Sequence, residues 1–252
     1  MTRFKDKHIV ITGASTGIGR ATADLIASEG GKVTLLARRP EILTQAVEKI
    51  QTAGGIATSF AVDISDKAAL IDSLDKAALT QGPIDGLFVN AGTSGAFAPL
   101  GSYDDALFED VLRTNLISPF WAIKHVLPTM IERKQGAILV TGSLASERGM
   151  ANNAGYVASK HAILGLSRAT AIEAAPHGVR ANCLIPGFIE TPLMGNIDDA
   201  IAAQLCSKIP QGRMGSAHET AQVAAFLLSD QASHVTGQSW AADGGVLGGL
   251  MV

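Results

Sequence analysis

Short apolar runs rich in β-formers alternate along the chain with longer stretches in which apolar residues recur at helical spacing. HIVIT (8–12) reads as a strand, and the segment from Ile18 to about Ser28 as a helix. KVTLLA (32–37) and IATSFAV (56–62) are the second and third strands, followed by helices over about 41–53 and 66–80. IDGLFVN (84–90) is the fourth strand, and a long helical region holding Asn115 and Pro119 runs from about 104 to 133. GAILVTGS (136–143) and VRANCLI (179–185) are strands on either side of a helix over about 154–175. A helix over about 218–229 and a short strand near 236–241 complete the pattern.

Strands alternating with helices predict parallel pairing through right-handed crossovers. The runs are apolar on both faces, as a sheet covered on both sides requires. No composition break divides the chain, so 1–252 reads as one α/β domain. It is expected to be doubly wound and Rossmann-type, with about seven parallel strands and helices on both faces. The stretch 187–215, rich in Gly, Pro and Met, is the least regular and is expected to be a substrate-binding loop within that domain.

Composition narrows the function classes. Apolar residues make up 47% and charged residues 17%, which is globular, not disordered. A net charge of −3 without a basic block argues against nucleic acid as partner. No run approaches the roughly 18 apolar residues of a membrane span, and MTRFKDKHIV passes directly into a strand without a signal-peptide pattern. Cys183 and Cys206 have no metal-binding spacing, which suggests a reducing cytoplasm. The six histidines form no HxxxH or HExxH pair, so no catalytic metal is expected.

The first strand ends in Thr12-Gly13-Ala14-Ser15-Thr16-Gly17-Ile18-Gly19, directly before a helix. Glycines allow a sharp turn and close approach of backbone to a pyrophosphate, and the helix start offers free N–H groups and a positive dipole end. Gly13, Ser15, Thr16, Gly17, Ile18 and Gly19 are therefore candidate cofactor contacts. The TGxxxGxG spacing, with further motifs downstream, resembles the short-chain dehydrogenase/reductase family across essentially the whole chain. That resemblance implies that Asp63, with Ile64 beside it, lies at the adenine. It implies that Asn90 stabilises the central sheet, with Ala91 and Gly92 near the adenosine ribose. It also implies that Pro186, Gly187, Ile189 and Thr191 hold the nicotinamide end.

Tyr156 and Lys160 are four residues apart, which on a helix puts them on one face. Ser143 closes the fifth strand, where side chains point into the ligand crevice. The spacing matches the family's active-site pattern, and Asn115 matches its fourth member. Carbonyl reduction needs a hydride donor, which a nicotinamide supplies, and a proton donor for the developing alkoxide. A free tyrosine titrates near pH 10, and an adjacent ammonium is expected to lower that value. Lys160 takes this role in the resemblance and also holds the nicotinamide ribose. Ser143 orients the substrate oxygen, and Asn115, in a helix interrupted near Pro119, helps through its disturbed backbone to hold a water that links Lys160 to solvent.

NAD sites usually carry an acidic residue about 20 residues past the glycine turn. Here the second strand ends in Arg38-Arg39 with no carboxylate. A guanidinium grips a 2′-phosphate with paired hydrogen bonds, so NADP(H) is expected. Arg38 is the main contact, and Arg39 either helps or stacks on the adenine. Thr16 stands where many NADP-binding relatives have a basic residue, which keeps NAD as the alternative cofactor.

Thr93, Ser94, Leu144, Glu147, Met150, Phe188, Leu193 and Met194 flank the expected pocket, a mostly apolar set suited to a small-molecule ketone or secondary alcohol. Three other functions share these features. An NAD-dependent alcohol or diol dehydrogenase differs in its cofactor. A 3-oxoacyl-(acyl-carrier-protein) ketoreductase would want basic surface at the mouth, for which Arg148, Lys208 and Arg213 are a thin cluster. A non-catalytic NADP-sensing protein would be expected to lack Tyr156 or Lys160. The apolar tail GGVLGGLMV and the resemblance together imply a homotetramer.

Overall fold

A computed structural model of the chain describes residues 2–195 and 198–249. Its first half runs β1 (His8–Thr12), α1 (Gly17–Ser28), β2 (Lys32–Ala37), α2 (Pro40–Thr52), β3 (Ile56–Ala61), α3 (Lys67–Gln81) and β4 (Gly86–Val89). Then come α4 (Asp105–Leu112), α5 (Ser118–Glu132), β5 (Gly136–Thr141), α6 (Ala154–Ala174) and β6 (Val179–Pro186). The last part holds β7 (Ile189–Glu190), α7 (Asp199–Cys206), β8 (Gly215–Ser216), α8 (Ala217–Leu228) and β9 (Ser239–Ala242).

Seven parallel strands form the main sheet in the order β3-β2-β1-β4-β5-β6-β9. The winding reverses between β1 and β4, which opens a crevice at their carboxyl ends. Strand periodicity sends alternate residues to two cores. Ile9, Ile11, Phe88 and Leu139 pack with α1, α2 and α8, whereas Val10, Leu87, Val89 and Val140 pack with α3, α5 and α6. This doubly wound architecture is the expected one. Among the described residues, no helix is long and apolar enough to cross a membrane.

One stretch sharpens an expectation and a second differs from it. The helical region 104–133 is not continuous: a π-turn, Arg113–Ile117, separates α4 from α5. Pro119 has no N–H for the carbonyl of Asn115 four residues earlier. The Ser118 backbone N–H and hydroxyl reach back instead to the Arg113 carbonyl, the hydroxyl at 2.9 Å. The interruption near Pro119 thus takes the form of a π-turn that contains Asn115, whose backbone was expected to be disturbed. The stretch 187–215 is also more regular than expected. Its ends pair as a two-stranded sheet of β7 and β8, and Asp198 caps α7 by accepting from the Ile201 N–H at 2.8 Å. Pairing across 25 residues leaves no local periodicity to read. Residues 196 and 197 of this stretch lie outside the described residues.

The tail turns back on its own subunit as far as it is described. The Asp243 carboxylate accepts from the Gly245 and Leu247 N–H groups, and Leu247 packs against the core. The whole tail GGVLGGLMV was expected to meet a neighbour; its last residues, 250–252, lie outside the described residues.

Candidate active site

The turn between β1 and α1 forms the floor of the crevice. Gly13 has φ of +66°, and a Cβ there would stand 2.8 Å from Ala91 Cα. A Cβ on Gly19 would stand 2.5 Å from the Gly13 carbonyl oxygen, so helix and turn approach as only glycine allows. Side chains cap the starts of α3, α4, α6, α7 and α8, whereas neither Thr16 at α1 nor Arg39 at α2 makes such a cap. The first N–H groups of α1 thus have no side-chain acceptor, as an incoming phosphate needs.

Thr12 organises the opposite wall. Its hydroxyl accepts from the Asn90 and Ala91 N–H groups at 3.0 and 3.1 Å. The Asn90 amide donates to the Thr12 and Gly13 carbonyls, and its oxygen accepts from the Thr141 hydroxyl at 3.2 Å. Asn90 thereby ties the ends of β1, β4 and β5 together.

Around this floor, Arg38 is exposed at the exit of β2, and the Arg39 guanidinium donates to the Ser15 hydroxyl at 3.2 Å. Asp63 accepts from the Ser65 N–H and hydroxyl. These bonds hold its carboxylate below its ordinary value, with a smaller contribution from the charge of Arg38. The Ile64 side chain is buried in the core. Gly187 donates to the Ala242 carbonyl beside Pro186, and the Ile189 side chain is buried. The Thr191 methyl lies 3.3 Å from where a Gly17 Cβ would be, which brings the segment after β6 against the glycine turn.

The residues expected to be catalytic gather on α6 and its neighbours. Ser143 leaves β5 and caps a short 3₁₀ turn, Leu144–Ser146, accepting from the Ala145 N–H at 3.2 Å. Asn153 caps α6, which carries Tyr156 and Lys160 on one face, with the ammonium 5.6 Å from the phenol ring centre. Lys160 Nζ donates to the Thr141 carbonyl at 2.7 Å. The Asn115 amide donates to the Thr93 carbonyl and the Ser159 hydroxyl, and its oxygen accepts from the Thr93 N–H. Gly92 stands beside Asn115 and Lys160.

Burial dominates the electrostatics. It pushes the Lys160 ammonium down to about 8. It pushes the Tyr156 phenol up, against the pull of the neighbouring Ser143 hydroxyl. Of these two influences on the phenol, burial is the larger. Cys183, behind Lys160 and near it in charge, is pushed up to about 11 by burial and stays a thiol.

Thr12, Thr141, Asn153 and Ser159 were not singled out by the sequence reading. Three of them touch motif residues by hydrogen bonds across strands or helix turns, which spacing does not reveal; Ser159 at least sits directly before Lys160. Of the expected pocket residues, Met150 and Leu193 are exposed, and Met194 lines a cavity of about 170 Å³ with Thr191 and Met214. Exposed Glu147 accepts from the Ser239 hydroxyl at 2.9 Å.

A family model described as enoyl-(acyl carrier protein) reductase matches residues 13–247. The chain is 37% identical to the levodione reductase of Leifsonia aquatica, over 97% of this chain and 95% of that protein. The chain belongs to the short-chain dehydrogenase/reductase family. Another member, the cyclohexanol dehydrogenase of Acinetobacter sp. (strain SE19), is 36% identical over 96% of this chain and 95% of that protein. The crystal structure of levodione reductase superposes with a TM-score of 0.94 at 35% identity, covering 98% of this chain and all of that one. A gluconate 5-dehydrogenase from Burkholderia cenocepacia J2315, in complex with NADP and tartrate, superposes at 0.93 and 30% identity, covering 99% of this chain and 98% of that one. Short-chain dehydrogenases/reductases are NAD(P)-using oxidoreductases of alcohol and ketone groups. The uncapped start of α1 and the glycine cradle fit such a dinucleotide.

Proposed function

We propose that the protein interconverts a small to medium, mostly apolar ketone and its secondary alcohol with NADP(H), Tyr156 being the general acid/base. The carrying observation is the buried Lys160 ammonium beside the Tyr156 phenol on one face of α6, with Ser143 and Asn115 on flanking elements. NADPH, when bound along the β1–β4 crevice, supplies the hydride.

The chain's own residues handle the proton. A phenol above its ordinary value is fully protonated at neutral pH, the form that donates to a developing alkoxide. Ser143 holds the substrate oxygen toward it. Lys160 holds the nicotinamide ribose and steadies the phenolate left behind. The Asn115 carbonyl, freed by Pro119, holds the water that returns a proton from solvent. The Asn115 side chain keeps that turn in place through Thr93 and Ser159.

Exposed Arg38, with no carboxylate at the exit of β2, supports a 2′-phosphate contact. Arg39 and Ser15 extend that contact, and Asp63 and the Ile64 backbone meet the adenine. Ala91, Gly92, Pro186, Gly187, Ile189 and Thr191 complete the cofactor site, and 187–215 forms the substrate side of a single domain. A second reading, NAD-dependent alcohol dehydrogenation, is favoured by neutral Thr16. The names of cyclohexanol dehydrogenase and levodione reductase support an apolar cyclic substrate. Exposed Phe120 and Trp240 support assembly into a homotetramer, and the free thiols Cys183 and Cys206 a cytoplasmic setting. Light scattering reads the assembled mass directly.

The test is a spectrophotometric screen of cyclic and open-chain ketones with NADPH and with NADH. Turnover with NADPH is expected, abolished to about 10³-fold or more below the parent in Tyr156→Phe while nucleotide still binds. Arg38→Asp should turn the preference toward NADH. A Tyr156→Phe protein that keeps most of its turnover sinks the proposal.

A further inference from the structure

The segment 90–99, between β4 and the rest of the chain, forms no helix or strand, yet it is tied down at three points. Asn115 holds Thr93 at both its N–H and its carbonyl. The Asn153 amide donates to the Ser94 carbonyl at 3.0 Å. The Ala98 N–H donates to the Asn152 carbonyl at 2.8 Å, with Asn152 itself in the left-handed region at φ +63°.

Asn153 has no exposed surface, and its other end faces the reactive helix. Its side-chain oxygen accepts from the Tyr156 N–H at 3.4 Å, and its backbone carbonyl accepts from Val157. A carbonyl partner on one side and an N–H on the other fix which way the amide points. Next to it, Gly155 lies against Tyr103, whose hydroxyl would stand 3.1 Å from a Cβ at Gly155 and from one at Gly95. One buried side chain therefore joins the segment expected to touch substrate to the first turn of the helix carrying the acid/base.

We propose that Asn153 is a positioning residue: through the Ser94 carbonyl it sets the register between segment 93–98 and the Tyr156 phenol. This rests on the functional reading above, because it assigns Tyr156 the proton. A serine keeps a cap acceptor at 153 but cannot reach Ser94. An aspartate keeps the acceptor and replaces the donor with an oxygen that repels the Ser94 carbonyl. Both leave the Tyr156–Lys160 pair itself intact.

The chain has two tyrosines, Tyr103 and Tyr156, so ring-¹³C tyrosine labelling gives two signals that Tyr156→Phe assigns. In Asn153→Ser, with the turn loosened and water admitted, the Tyr156 ring should titrate closer to the ordinary value near 10 than in the parent. Turnover of the ketone found in the screen should fall about 10- to 100-fold, as small displacements of a reacting group cost. Nucleotide affinity should stay within about twofold. Should Asn153→Ser fail to fold, Asn153→Asp carries the same two readouts. An unchanged Tyr156 titration together with unchanged turnover overturns the positioning role. So does a lowered melting temperature as the sole effect, which would make Asn153 a cap and nothing more. A shifted titration in a parent protein that turns over no ketone would leave the clasp standing and remove the functional reading instead.

Discussion

At the amino end of the sheet, Asp85 accepts from the His8 N–H at 2.8 Å, from Gln135 and from Arg133. Nearby, Arg180 donates to the carbonyls of Leu227, Ser229 and Val235. At the carboxyl end, among the described residues, the buried Lys160 ammonium has the Thr141 carbonyl as its one protein acceptor for three protons, and the first turn of α1 has no side-chain cap. Both ends bury charge at a desolvation cost. One end satisfies its charges within the chain, and the other leaves donors for a ligand. Hydrogen-bonding capacity withheld from the fold marks the working end here more clearly than burial does.

That contrast can be broken first at Lys160. Lys160→Met should lower turnover at least about 100-fold and weaken nucleotide binding, while the protein melts no lower than the parent near neutral pH. The sign follows from the ammonium's depressed value. Below about 8 the lysine is charged whether folded or unfolded, and the folded state bears the full burial cost. As pH rises from about 8 toward the unfolded value of 10.5, that cost disappears and the parent gains on the variant. Melting curves of both proteins between pH 7 and 10 check this. A variant that melts well below the parent at pH 7 would mean that Lys160 is structural.

The amino end should respond in the opposite way. Asp85→Ala strands the His8 N–H and the Arg133 guanidinium, and should cost about 2–4 kcal/mol in denaturant unfolding. Turnover well below the melting temperature should stay within about twofold of the parent. Lost activity in a folded Asp85→Ala protein would erase the distinction between the ends.

The smallest effect is expected at His8. It is buried, with Nδ1 donating to the Gly82 carbonyl and Nε2 accepting from the Thr34 hydroxyl, and burial pushes its value below 6.5. The unfolded chain therefore takes up the proton first. Stability should decline as pH falls below 6.5 toward the folded value, and His8→Gln should flatten that limb. A parent and a variant with the same acid limb would remove His8 from the account.

Much of this was legible before any coordinates. Continuous apolar strands with helices between them announce a doubly wound sheet, because both faces must be covered. Gly13, Gly17 and Gly19 announce the phosphate turn: backbone contact excludes a Cβ at Gly13 and Gly19, and Gly17 has φ of +59°. The spacing of Tyr156 and Lys160 announces a shared helix face. The short α7, the β7–β8 pairing and the exact seat of the π-turn were not legible, since each depends on partners far apart in sequence or on a single missing N–H at Pro119.

The chain's order of residues by itself determined the winding, the glycine turn and which side chains could do chemistry, because these follow from local periodicity and from the properties of each residue. Tertiary structure alone decided that burial raises the Tyr156 phenol and depresses Lys160, that Thr12 and Asn90 lock three strand ends together, and that Asn153 joins a loop to the reactive helix. Desolvation and cross-chain hydrogen bonds depend on what surrounds a group in space, and no spacing along the chain encodes that directly.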